Sequence, residues 1–144
     1  MTSASQVFFV YSDFLGIMTL MHDSKLAVTT LALLLLLLGL HTYGMAQHWY
    51  LYYPFFDLIT HFLGGVGIAL SVFYVFKNPK HIIAVAIVAG IVWEIFEVYF
   101  DIMGWPISSK AYKIDTAVDL FMDTLGAVSV WLVAKNKKQY EHQS

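Results

Sequence analysis

The sequence has no cysteine and no arginine, only three prolines, and just eight lysines against ten acids in 144 residues. Without cysteine there is no disulfide, no thiolate metal site and no cysteine nucleophile. Without arginine there is no planar fork to clamp a phosphate, and a formal charge of −2 leaves no basic footprint for nucleic acid. A soluble domain is about 25% charged and 45–50% apolar. Here the shares are 12% and 59%, with a mean hydropathy of +0.68, so too little polar surface exists to cover a water-soluble fold. A single membrane domain remains, with the lipid bilayer as its surroundings.

A membrane helix needs about 20 mostly apolar residues. Four stretches supply them, roughly Ala27 to Trp49, Phe55 to Phe76, Ile82 to Met103 and Asp115 to Ala134. Lys77-Asn78-Pro79-Lys80 separates the second from the third, Gly104-Trp105-Pro106 breaks the chain before the fourth, and Lys135, Lys137 and Lys138 close it. The fold class is all-α, a polytopic membrane helical bundle of four transmembrane helices. Val7 to Met21 is apolar but short for a span and carries Asp13, which predicts an interfacial or re-entrant helix. The first cation is Lys25, so a cleaved signal peptide is not expected. The chain divides into an N-terminal interfacial segment (1–24), a four-span domain (25–138) and a short tail (139–144).

Positive charge collects in cytoplasmic loops. With both termini inside, Lys25, Lys77, Lys80, Lys135, Lys137 and Lys138 are cytoplasmic, and only Lys110 and Lys113 are outside. The expected location is therefore the cell membrane, multi-pass, with both termini cytoplasmic and the Trp49, Tyr50, Tyr52, Tyr53 cluster at the outer interface.

The acids are where the sequence is most informative. Asp57, Glu94, Glu97, Asp101, Asp115, Asp119 and Asp123 all fall in or at the edges of spans, where an ionisable group is costly and marks function by default. Asp57 and His61 are four apart, Glu94, Glu97 and Asp101 follow an i, i+3, i+7 pattern, and Asp115, Asp119 and Asp123 are spaced by four. Each set thus lies on one helix face. At about 1.5 Å per residue, His61, Glu94, Glu97, Asp119 and Asp123 lie roughly 6–13 Å inside the outer ends of their spans. The three stripes converge in one layer of the outer leaflet, and His41 lies at a similar depth. With no arginine and no lysine in that layer, the carboxylates need protons, water or a bound cation. A divalent metal (Mg, Mn, Fe or Zn) suits an oxygen-rich set with an imidazole. The candidate ligands are His61, Glu94, Glu97, Asp119, Asp123 and Asp57, holding one or two ions, with Glu97 as candidate general base toward an activated water.

Plainer readings stand beside these. Asp57, Asp101 and Asp115 lie near span ends, where helix caps and first-turn acids are common. A lone His41 reads as an interhelical hydrogen-bond partner. Gly64, Gly65, Gly90 and Gly126 read as close helix packing, and Trp93, Phe96 and Tyr99 as packing or lipid contact.

Three motifs carry a resemblance: Asp57-Leu-Ile-Thr-His61-Phe62-Leu63-Gly64-Gly65, Trp93-Glu94-Ile95-Phe96-Glu97, and Asp115 through Asp123 to Gly126. In this order, on successive spans, they resemble the VanZ-like and YjdF-type families of small integral membrane proteins, over about half the chain. VanZ-like proteins tend to carry a lysine after the first aspartate, a glutamine after the glutamate, an arginine before the last helix and an asparagine at the position of Asp123. This chain has Leu58, Glu97, no arginine and Asp123, so it is more similar to the YjdF type. The resemblance implies the fold and the site; VanZ is associated with teicoplanin resistance.

The expected function is a metal-dependent membrane enzyme, a hydrolase or transferase acting on a lipid or lipid-linked substrate. The alternatives are an ion- or proton-coupled transporter and a small accessory subunit of a larger membrane complex. A homo- or hetero-oligomer is a further expected partner, and a transporter's through-path would need one.

Overall fold

The computed structural model describes residues 24–100, 102 and 106–136 in full, with helical backbone continuing over 3–23 and 137–141. Its elements are α1 (Ser3–Ala46), a single turn α2 (Trp49–Tyr52), α3 (Pro54–Phe76), α4 (Ile82–Phe100) and α5 (Lys110–Glu141). Among the described residues, four stretches are long and apolar enough to cross a membrane: Ser24–Ala46, Pro54–Phe76, Pro79–Phe100 and Lys110–Asn136. The chain is thus the four-span all-α bundle expected. Val7–Met21, predicted as an interfacial or re-entrant helix, continues α1 toward the N-terminus; its side chains, that of Asp13 among them, lie outside the described residues, as do Asp101 and the end of the tail.

The helix boundaries follow from local chemistry. Pro54 opens α3 at a position where its missing N–H is no loss. Lys77, at φ 51°, turns the chain out of α3 while its N–H bonds to the Phe73 carbonyl. Asn78 then accepts the Lys80 N–H at 3.1 Å, and a short 3-10 turn, Pro79–His81, leads into α4. The fourth span begins at Lys110, ahead of the expected Asp115. Ser109 caps it, its hydroxyl accepting the Tyr112 N–H at 3.1 Å. Lys110 and Lys113 therefore belong to the start of a helix and not to a loop, and Asp115 lies past the first turn.

In lipid, helix association gains little from burying apolar surface and depends on close packing and satisfied polar groups. The core accordingly consists largely of small residues: Ala69 and Val72 of α3, Ile82 and Ala86 of α4, and Ala127 and Ala134 of α5. It lies in the Lys77 half of the bundle. Helices α3, α4 and α5 pack on one another, most closely α3 on α5, whereas α1, among the described residues, meets α3 and α2 without close backbone approach to α4 or α5. The hydroxyls of Thr30, Thr42, Thr60, Ser71, Thr124 and Ser129 each donate to a carbonyl three or four residues earlier. That disposes of them without a partner helix.

Candidate metal centre

His61 sits at the middle of the site, one turn after Asp57 on α3. Its Nδ1 is 3.3 Å from Asp123 Oδ2, and its Nε2 lies 3.6 Å from Asp57 Oδ1 and 3.9 Å from Asp119 Oδ1. All four side chains are buried, Asp119 to 1% exposure. A neutral imidazole has one donor and one acceptor nitrogen, so it cannot satisfy carboxylates at both. Positive charge is required here, as protons or as a bound cation. Two ligands each about 2.1 Å from an ion stand roughly 3–3.5 Å apart, close to the spacings around this ring.

Among the described residues, two groups have ligand atoms within 4.8 Å of one another, Asp57 with His61 and Asp119, and His61 with Glu94 and Glu97. His61 is common to both. The ion pairs that the site carboxylates form among the described residues all run to His61. Glu94 Oε1 and Asp119 Oδ2 are buried without a hydrogen-bond partner, a costly condition that a cation or water would relieve. Glu97 is better provided for, since Trp93 Nε1 donates to its Oε1 at 2.9 Å.

Glycines set the distances between the helices. A Cβ at Gly65 would collide with the Asp123 carbonyl oxygen, and one at Gly126 with the Phe62 carbonyl. A Cβ at Gly90 would stand 2.7 Å from Asp123 Oδ2. Bare backbone at these points lets α5 approach α3 and α4 closely enough for Asp119 and Asp123 to reach His61.

A cavity of about 470 Å³ opens over the centre, within the usual range for a small-molecule pocket. Its walls are largely apolar, with Leu34, Leu37 and Leu38 from α1, Ile68 from α3, and Ala89, Val92 and Phe96 from α4; its polar floor is Asp57, Thr60, His61, Glu97 and Asp123. At one end the His41 ring stands edge-on to Trp93, with centroids 5.3 Å apart, and its Nδ1 meets the Tyr50 hydroxyl at 2.7 Å. Burial pushes the Tyr50 hydroxyl up to about 12, so it remains neutral at physiological pH.

The structure therefore brings together Asp57, His61, Glu94, Glu97, Asp119 and Asp123. Asp57, open to a capping interpretation from sequence, lies in the cluster. Asp115 is half-buried and in neither ligand group. His41 bonds to Tyr50 rather than joining the ligands. Trp93, read from sequence as packing, holds Glu97 and lines the cavity, while Tyr99 is 80% exposed, as lipid contact predicts. Thr60, Tyr50 and Thr116 were missed. The i, i+4 spacing of Trp93 from Glu97 was the one available signal among these contacts. Replacing Trp93 by Phe leaves a buried acceptor unpaired and is expected to cost about 1–3 kcal/mol, read as a lower unfolding midpoint in detergent. An unchanged midpoint would mean that Glu97 does not depend on the indole.

Fold and site define a polytopic helical membrane protein with a buried acid–histidine centre beneath an apolar cavity. The chain belongs to the family described as Predicted membrane protein (DUF2238), whose model matches residues 2–138. No curated protein and no solved structure matches it.

Proposed function

We propose that the protein is a metal-dependent membrane enzyme whose acid–histidine centre binds one or two divalent cations and acts on a lipid or lipid-linked substrate. One observation carries this reading: both nitrogens of His61 face carboxylates from α3 and α5 with no arginine anywhere in the chain. His61, Asp57, Glu94, Asp119 and Asp123 are the proposed ligands. Glu97, facing the cavity and positioned by Trp93, is the proposed general base, with a share in the ligand set through its group with His61 and Glu94. The bound cation would polarise a water or a substrate oxygen, and the apolar walls of α1 and α4 would take a hydrocarbon chain. The centre faces the outer leaflet if both termini are cytoplasmic. The likeness to VanZ-like and YjdF-type proteins, through the motifs at Asp57, Glu94 and Asp119, bears on the site and not on the reaction.

Elemental analysis of the purified protein tests it. Wild type is expected to carry a divalent metal at about one or two equivalents, and Glu94→Gln and Asp119→Asn to carry substantially less. Metal-free wild type that does not bind added Mg, Mn, Fe or Zn sinks the reading.

An accessory-subunit reading is favoured by one observation: only 6% of the apolar stretch of α1 is buried, which leaves a face for partner helices. Co-purification of a stoichiometric partner in mild detergent would favour it. A transporter would need a polar path past Ala69, Val72, Ile82 and Ala86, and that end of the bundle is an apolar core.

A further inference from the structure

A second, smaller cleft of about 210 Å³ lies between α4 and α5. Ile95, Val98 and Leu120 form its sides, and Glu94, Tyr112 and Thr116 are its polar groups. It shares no lining residue with the large cavity, because the two occupy opposite faces of α4. Glu94 connects it to the centre, since the same side chain forms a ligand group with His61 and Glu97. Although Glu94 is only 6% exposed, its Oε1 has no hydrogen-bond partner, and neither has the buried Thr116 hydroxyl.

Thr116 differs from the six hydroxyls that bond back to their own helices. Its hydroxyl instead lies beside the Glu94 carboxylate, outside the geometry of a hydrogen bond. At membrane depth such a pair costs several kcal/mol unless something polar meets it. The cleft has ample room for water, which needs about 10–15 Å³ and two or more polar partners. We propose that the α4/α5 cleft is a hydrated lane through which water and small hydrated cations reach the centre at Glu94, while the cavity on the opposite face of α4 takes the apolar chain. This rests on the metal-enzyme reading and adds to it a polar route separate from the lipid. Cations are selected over anions because Glu94 is the only charged residue lining the lane among the described residues.

The cysteine-free chain permits a direct test with single cysteines in the full-length protein in nanodiscs. Thr116→Cys is treated with a cationic and an anionic methanethiosulfonate, beside the exposed loop variant Ser108→Cys and the lipid-facing Val133→Cys. A hydrated lane predicts that the cationic reagent modifies Thr116→Cys within about tenfold of the Ser108→Cys rate, since thiol reactivity follows access to water and local charge. The anionic reagent is expected to be at least about tenfold slower, from the field of Glu94. Val98→Cys on the α4 wall gives the same readout should Thr116→Cys fold poorly. Modification as slow as that of Val133→Cys at both positions shows a dry cleft and overturns the proposal; equal rates with both reagents overturn its cation selectivity. The readout requires no bound metal, so reactive cysteines in a protein that binds no metal would sink the metal centre alone. Silent cysteines in a metal-loaded protein would sink the lane alone.

Discussion

Purified His61→Asn protein is expected to lose divalent metal from both ligand groups at once, whereas Asp57→Asn should leave the group containing Glu94 and Glu97 able to bind. The difference follows from His61 being common to the two groups, and from its two nitrogens facing carboxylates on opposite sides of the ring. Removing an outer-shell partner of a metal typically costs 10–100-fold in affinity, so loss of a shared direct ligand is expected to cost about a hundredfold or more. Titration of metal-stripped protein with Mn ions, read by isothermal calorimetry, would measure it. Binding in His61→Asn that matches wild type in affinity and stoichiometry would show that the imidazole is not a ligand, leaving it only a proton-sharing role among the acids.

Gly65→Val is expected to be the most damaging single substitution in the bundle. The added atoms would meet the backbone carbonyl of Asp123, and backbone within a helix cannot move aside as a side chain can. Overpacking in a core typically costs 1–3 kcal/mol; with rigid backbone on both sides the expected loss is about 3 kcal/mol or more. The consequence reaches the centre, because separating α5 from α3 draws Asp119 and Asp123 away from His61. Gly39→Ala is the contrasting case, with nothing within 4 Å of the added carbon, and is expected to be neutral or stabilising by up to about 1 kcal/mol. Unfolding in mixed detergent micelles compares the two. Equal stabilities would contradict the close approach of α3 and α5.

Hydropathy was sufficient to place the four spans, because lipid demands long apolar helices with internally satisfied backbone. Helical spacing alone aligned Asp57 with His61, Glu94 with Glu97, and Asp119 with Asp123, since i, i+3 and i+4 positions share a face in any α-helix. That made most of the centre legible. Spacing does not give the rotation of one helix relative to another, and so of Asp115, Asp119 and Asp123, all in register, only Asp119 enters a ligand group, Asp123 meets His61 at its other nitrogen, and Asp115 does neither. The start of α5 at Lys110 depends on one serine cap, a weaker signal than the apolar run beginning near Asp115. The cavity was not legible, because leucines such as Leu34 and Leu37 look alike whether they face lipid or an internal space. Thr116 was hidden for a similar reason: a threonine in a membrane helix usually bonds back to its own turn, and only the geometry shows that this one does not.

Among the described residues, helix α1 lacks close backbone contact with α4 and α5, and it forms one wall of the large cavity. Whatever fills that space supplies α1 with contacts that the other helices do not, so occupancy and attachment of α1 share a single coupling free energy. A chain lodged between α1 and α4 fastens the first helix, and a force that pulls the first helix aside weakens the hold on the chain by the same amount.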